Sequence, residues 1–275
     1  MKSTSANPPL CPASLLEAFF SLRRRWAELS CGFHLEDKCR ITLFPLAQLA
    51  EAEDRAAFFL SSAEQNHLQR FRYPKRRHEW LGGRIAAKAA LTGAMEAAAF
   101  RRLTILPDRH GRPTVSGQPD PSLSLSISHS GGYAAALAGH GPSCGIDLQE
   151  VSDKLPDLTK YFAMPAELEL LAGQPELGRQ ETGLTMLWAV KEALKKSLLA
   201  DQPDIFSGIE LKQLHAVAKG VWQCACAVRH HPLQAALVYD FSPYILALSC
   251  PEQGSQKFEK VTMQQSTLYN LHSTC

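Results

Sequence analysis

Two stretches with helical periodicity, one in each half of the chain, constrain the fold more than any other feature. Residues 75–100 set Leu81, Ile85, Ala89 and Leu91 at helical spacing, and alanine dominates the second half of the run. Residues 185–199 line up Leu187, Trp188, Ala193, Leu194 and Leu198 as an apolar stripe. Strand-like segments accompany both: 41–44, 123–128, 133–139 and 144–149 around the first, then 208–215, 221–229, 234–240 and 244–249 after the second. There is no βαβα alternation and no Gly-x-Gly-x-x-Gly, so the pattern predicts an α+β fold rather than a doubly wound sheet. One long helix with its own strands in each half permits two similar lobes, although no residue-level repeat is visible between them. Gly82-Gly83 inside the first helix costs about 1 kcal/mol per glycine relative to alanine, which suggests close approach of a backbone or ligand, or a packing notch.

Shorter elements fill the rest. Residues 13–29 and 47–59 read as helices, and Ser61 or Ser62 caps the next, with Glu64 and Gln65 in its first turn. Turn chemistry marks Asp108 to Pro113 and residues 117–121. A helix follows Met164-Pro165 over 166–171, and 173–183 reads as a polar loop. The expected boundaries are an N-terminal extension (1–38), an N-terminal lobe (39–142), a C-terminal lobe (143–250) and a mobile polar tail (251–275).

The chain has 275 residues, 45% of them apolar and 20% charged, a composition that excludes disordered or collagenous classes. No apolar run approaches membrane-spanning length and no secretory h-region is evident, so a cytoplasmic protein with no membrane partner is expected. The net charge of +2 conceals a cluster: seven Lys or Arg between Arg70 and Lys88 against one acid, Glu79. It is either a solvated helix face or an anion site; nucleic acid is the weaker reading, because Phe71, Tyr73 and Trp80 are as readily core as stacking residues. The eight cysteines form no Cys-x-x-Cys pair. Cys224, Cys226, His230 and His231 are the one arrangement worth weighing for zinc, and a strand with small packed residues explains 221–228 more simply.

Three segments carry chemistry. Ile127 to Gly132 crowds a hydroxyl, an imidazole and unhindered backbone amides at a strand end, suited to an oxyanion. A Ser-His pair without a Gly-x-Ser-x-Gly elbow does not make a hydrolase. In Gly145-Ile-Asp147-Leu-Gln149-Glu150, Asp147 and Gln149 share a strand face, and an acid beside an amide suits a hard cation such as Mg2+. In Trp188-Ala-Val-Lys191-Glu192-Ala-Leu-Lys195-Lys196, Lys191 and Lys195 share a helix face with Glu192 one position round, which is either a solvated charged face or part of a metal-assisted phosphate site.

In this order, His-Gly-Arg-Pro (110–113), Ile-Ser-His-Ser-Gly (127–131), Gly-Ile-Asp-Leu-Gln (145–149) and the Trp-x-x-Lys-Glu-Ala-x-x-Lys pattern from Trp188, its last lysine read as Lys195, resemble the successive motifs of the 4′-phosphopantetheinyl transferases. The likeness is to the large monomeric type that activates surfactin synthetase and other peptide and polyketide synthases. Arg70-Phe71 and Gly83-Arg84 fit the family's upstream motif. The resemblance implies two similar α+β lobes, a pseudo-dimer, with coenzyme A and Mg2+ in the cleft between them. It implies transfer of the phosphopantetheine arm to a serine of an apo acyl or peptidyl carrier protein, releasing adenosine 3′,5′-bisphosphate. By the same resemblance Asp147 and Glu192 ligate Mg2+, Glu192 also acts as base, and Lys195 neutralises the transferring phosphate. His129 and Ser128 contact phosphates, Lys191 faces the cosubstrate, and Lys75, Arg84 and Gly111-Arg112-Pro113 hold the adenosine 3′-phosphate and adenine. Many members carry Glu where this chain has Gln149, so the third metal ligand is in question. The rival reading is a non-catalytic relative that only binds coenzyme A or carriers.

Overall fold

The computed structural model describes residues 39–49, 59–93, 97–117, 120, 122–141, 143–199 and 208–250. The helix read at 13–29, residues 50–58 of the helix read at 47–59, and the 251–275 tail lie outside these residues.

The first lobe runs β1 (Cys39–Pro45), α1 (Ser62–Leu68), α2 (Pro74–Thr92), α3 (Ala97–Arg102), β2 (Thr104–Pro107), β3 (Pro113–Ser116), β4 (Leu123–Ser130) and β5 (Tyr133–His140). The second runs β6 (Gly145–Glu150), α4 (Leu155–Leu158), α5 (Pro165–Ala172), α6 (Gln180–Leu198), β7 (Ile209–Ala218), β8 (Val221–Val228), β9 (Gln234–Asp240) and β10 (Tyr244–Ser249). The second sheet has the order β6-β10-β9-β8-β7, and the first lobe repeats it as β1-β5-β4, with β3 and β2 split off as a hairpin. Every neighbouring pair within the sheets is antiparallel. This is the two-lobed α+β architecture expected.

The alternation of the strands explains the layers. One face of β5 gives Ala136 and Ala138 to the core under α2, and the other gives Ala135 and Leu137 to a core shared with Ile146, Leu148 and Leu246 of the second sheet. The far face of that sheet, through Trp222, Cys224, Cys226, Val238 and Ala247, packs on α6. The layers are therefore helix, sheet, sheet, helix. Cys224 and Cys226 are buried core residues of β8, the strand reading of 221–228.

A repeat that the sequence reading missed lies inside the helices. Glu64 and Glu167, Lys88 and Lys191, and Phe59 and Phe162 are each 103 residues apart. In both lobes the glutamate caps its own short helix: Ser61 N and Met164 N each donate to it at 2.8 Å. Its other oxygen accepts from a strand amide, Ile105 N at 2.9 Å or Leu211 N at 2.7 Å. The lysine of the long helix pairs with it and donates to the phenylalanine carbonyl, at 2.9 Å for Lys88 and 2.7 Å for Lys191.

Other expectations shift at their boundaries. The 75–100 helix divides, because Gly93 ends α2 in the left-handed conformation (φ 71°). The second long helix begins at Gln180, inside the segment read as a loop. The β2–β3 hairpin flanks the 108–113 turn. Leu46–Leu49 form a 3-10 turn. The Gly82-Gly83 notch is packing: a Cβ on Gly82 would run into Leu46 Cδ2, and one on Gly83 would sit 3.1 Å from Ile127 Cγ2.

Candidate active site

Between the lobes lies a cleft of about 420 Å3. The Gly111-Arg112-Pro113 turn lines one side, and Glu192, Lys195 and Lys196 of α6 line the other. The turn is held by Asp108, whose carboxylate accepts from His110 N at 2.8 Å and Arg112 N at 2.9 Å. Gly111 adopts φ 84°, which favours glycine.

β6 is pressed against α6 at its start, because a Cβ on Gly145 would run into the Ala193 carbonyl oxygen. That closeness sets Asp147 beside Glu192. Burial, and then the Asp147 charge, push the Glu192 carboxyl above the usual carboxylate range, with Lys196 and Lys195 pulling it back. Asp147 is buried. Its Oδ1 accepts from Lys196 Nζ at 2.6 Å and from Ser128 Oγ at 2.9 Å, and its Oδ2 accepts from Gln149 Nε2 at 2.8 Å.

Lys75 and His129 line a second cavity of about 590 Å3, with Glu79 and Ser130. His129 Nε2 lies 3.1 Å from Arg76 Nη1, and His129 Nδ1 lies 3.9 Å from Glu79 Oε2. Burial lowers the imidazole pKa most, and Arg76 and Lys196 lower it further against Glu79. Lys196 acts electrostatically on both His129 and Glu192.

The structure thus brings Gly111, Arg112, Pro113, Glu192 and Lys195 to one cleft, with Asp147 against Glu192, and sets Lys75 and His129 in the neighbouring cavity. Three expectations are corrected. Lys191 is 1% exposed and committed to Glu167, so it does not face a cosubstrate. Arg84 points inward: its Nε donates to Ile105 O at 2.8 Å, its guanidinium sits 4.5 Å over Trp80, and burial lowers its pKa to about 10. Ser128 spends its hydroxyl on Asp147 and on Leu148 N, and is too buried to meet a phosphate. Gln149 serves as a donor that orients Asp147. The lysine on Asp147 is Lys196, where the Trp-x-x-Lys-Glu-Ala-x-x-Lys pattern ends by strict count, four residues after Glu192; Lys195 lines the same cleft. Among the described residues no three His, Cys, Asp or Glu side chains are grouped to hold a metal, and no helix is long and apolar enough to cross a membrane.

Residues 64–139 match the family model of the 4′-phosphopantetheinyl transferase N-terminal domain, and residues 143–248 match that of the 4′-phosphopantetheinyl transferase superfamily. The 4′-phosphopantetheinyl transferase HetI of a Nostoc species is 27% identical over 166 residues, which cover 59% of this chain and 69% of that one. A holo-[acyl-carrier-protein] synthase of Exiguobacterium sibiricum is 33% identical over 101 residues, 35% of this chain and 79% of the relative. A solved holo-(acyl-carrier-protein) synthase of Bacillus anthracis, in complex with CoA (3′,5′-ADP), aligns with 38% of this chain and 96% of its own, at TM-score 0.34 and 24% identity. The lobes, the cleft residues and both family matches converge: the chain belongs to the 4′-phosphopantetheinyl transferase superfamily.

Proposed function

We propose that the protein transfers the 4′-phosphopantetheine arm of coenzyme A to a serine of an apo acyl or peptidyl carrier protein. The observation that carries the reading is the cleft itself, where Glu192, with the buried Asp147 beside it, shares a wall with Lys195 and Lys196 that faces the Gly111-Arg112-Pro113 turn of the first lobe. Burial first, and the Asp147 charge second, hold the Glu192 carboxyl above the usual carboxylate range. A hard divalent cation that draws few protein oxygens and keeps phosphate and water ligands fits such a pair. Asp147 and Glu192 would hold Mg2+, with the neutral Gln149 steering Asp147. Bound there, Mg2+ would supply Lewis-acid stabilisation of the pyrophosphate charge.

Glu192 takes the proton of the carrier serine hydroxyl, directly or through water. The serine oxygen forms a bond to the phosphorus that bears pantetheine, and that phosphorus parts from the bridging oxygen, which leaves on adenosine 3′,5′-bisphosphate. Lys196 and Lys195 offset charge on the transferring group, the contribution phosphoryl transfer most needs. The Gly111-Arg112-Pro113 turn takes the adenine end, and Lys75 and His129 take the 3′-phosphate from the adjoining cavity. Because one chain supplies both walls of the cleft, we read the enzyme as a monomer with lobes over 39–142 and 143–250.

The test is incubation with coenzyme A, Mg2+ and several apo carriers beside a known transferase. A carrier mass gain of one phosphopantetheine is expected, abolished by Asp147→Ala or Glu192→Ala in variants that still fold. If no carrier gains mass while the control works, the reading fails. Coenzyme A binding without turnover would indicate a binder.

A further inference from the structure

The two sheets meet along β4 and β6, and no backbone ladder joins these strands. Their junction is made by side chains instead. β4 alternates Leu-Ser-Leu-Ser-Ile-Ser-His-Ser from Leu123, which puts Ser126, Ser128 and Ser130 on one face. Ile146 N donates to Ser126 Oγ at 3.1 Å, Leu148 N to Ser128 Oγ at 3.1 Å, and Glu150 N to Ser130 Oγ at 3.0 Å. The offset is 20 residues each time, so the strands run parallel and in register. β6 pairs with β10 along its other edge, and the three hydroxyls take amides that would otherwise be left as a bare sheet edge.

The middle hydroxyl does more. A serine oxygen can accept and donate at once. Ser128 accepts from Leu148 N and donates to Asp147 Oδ1 at 2.9 Å, whereas among the described residues neither Ser126 nor Ser130 donates to a carboxylate. Asp147 is therefore fixed from its own lobe by Lys196 and Gln149, and from the opposite lobe by Ser128. We infer that Ser128 is a positioning residue: it ties the metal-binding carboxylate of one lobe to the strand of the other, so that the serine junction sets where Asp147 stands relative to the nucleotide side of the cleft. The inference rests on the proposed function for the metal role of Asp147.

Ser126→Ala, Ser128→Ala and Ser130→Ala each remove one acceptor from the junction, so all three should lower the thermal midpoint and speed amide exchange over residues 145–150. Only Ser128→Ala should weaken Mn2+ binding, read by electron paramagnetic resonance with coenzyme A present, by about tenfold, since it alone removes a hydrogen bond to a charged group. Its half-saturating Mg2+ for transfer should rise in step, while the Michaelis constant for the carrier stays level. If Ser128→Ala does not fold, Ser128→Cys, whose thiol is a weak donor of similar size, should still weaken Mn2+ binding. Equal Mn2+ affinity in the Ser128 and Ser126 variants overturns the inference and leaves a purely structural junction. Failure of the unsubstituted protein to bind Mn2+ overturns the metal reading itself, and this role with it.

Discussion

Replacing Lys191 with methionine separates a framework role from a cosubstrate role, and the other lobe contains its own control. The Lys191 side chain is 1% exposed and Glu167 is 0% exposed, with 2.7 Å between the charges. Lys191→Met strands the Glu167 carboxylate in the core, and breaking a buried pair by removing one partner costs about 3–5 kcal/mol. Glu167 keeps Met164 N and Leu211 N as donors, which places the loss near the lower figure. At roughly 2–4 °C per kcal/mol for chains near this size, the midpoint should fall by about 6–12 °C. Lys88→Met breaks the equivalent pair with Glu64, so it should cost the same within about 1 kcal/mol. Adding Glu167→Gln to Lys191→Met should restore part of the loss, because no unpaired charge then remains buried. The assay is thermal and urea unfolding of the four proteins, with the Michaelis constant for coenzyme A measured well below the midpoint. A midpoint change under about 3 °C together with a sharply raised constant for coenzyme A would refute the reasoning and return Lys191 to the cosubstrate.

Three further outcomes follow from the geometry. The His129 imidazole titrates below its ordinary value, chiefly through burial; the unfolded chain therefore takes up the proton first, and the stability held above the ordinary value of 6.5 is lost as pH falls through it. His129→Gln should flatten that part of the curve of midpoint against pH, and an unchanged slope would contradict the assignment. Gly145→Ala drives a Cβ into the Ala193 carbonyl and to 3.2 Å from Ser197 N, so β6 must move off α6. A loss of about 2–3 kcal/mol in urea unfolding, with transfer collapsing as Asp147 leaves Glu192, is expected; unchanged stability would mean that the contact is not tight. Lys196→Met should lower the transfer rate by about a hundredfold or more while coenzyme A still binds in calorimetry, whereas an equal loss in binding would make Lys196 a simple anchor.

Much of this is legible in the sequence alone. Period-two alternation located β4, and the spacing of Gly-Ile-Asp-Leu-Gln and Lys-Glu-Ala located the acids, because strand and helix geometry dictate which side chains share a face. Lys191 was misread because adjacent charges suggest a solvated or ligand-facing helix surface. Its position, four after Leu187 and three before Leu194, in fact puts it within the apolar stripe, where a lysine must be buried and paired. Arg84 takes its cosubstrate role only from the family resemblance, and its guanidinium meets Trp80 and Ile105 O instead. The 103-residue repeat was hidden because the lobes keep mainly their framework. Ala86-Ala-Lys88-Ala-Ala-Leu91 and Ala189-Val-Lys191-Glu-Ala-Leu194 agree at the packed positions and differ at Glu192, where the second lobe carries the chemistry. The serine junction joins β4 to β6 across β5 with an offset of 20 residues, a side-chain pairing that the pattern of neither strand announces.

The central claim is tested most directly by following both products of one reaction in a single quenched sample. With coenzyme A, Mg2+ and an apo carrier, the account predicts that each adenosine 3′,5′-bisphosphate released matches one phosphopantetheine gained on a carrier serine, and that neither forms when Glu192 is glutamine in a folded protein. Nucleotide release without carrier modification, or full modification by the Glu192→Gln protein, would contradict it.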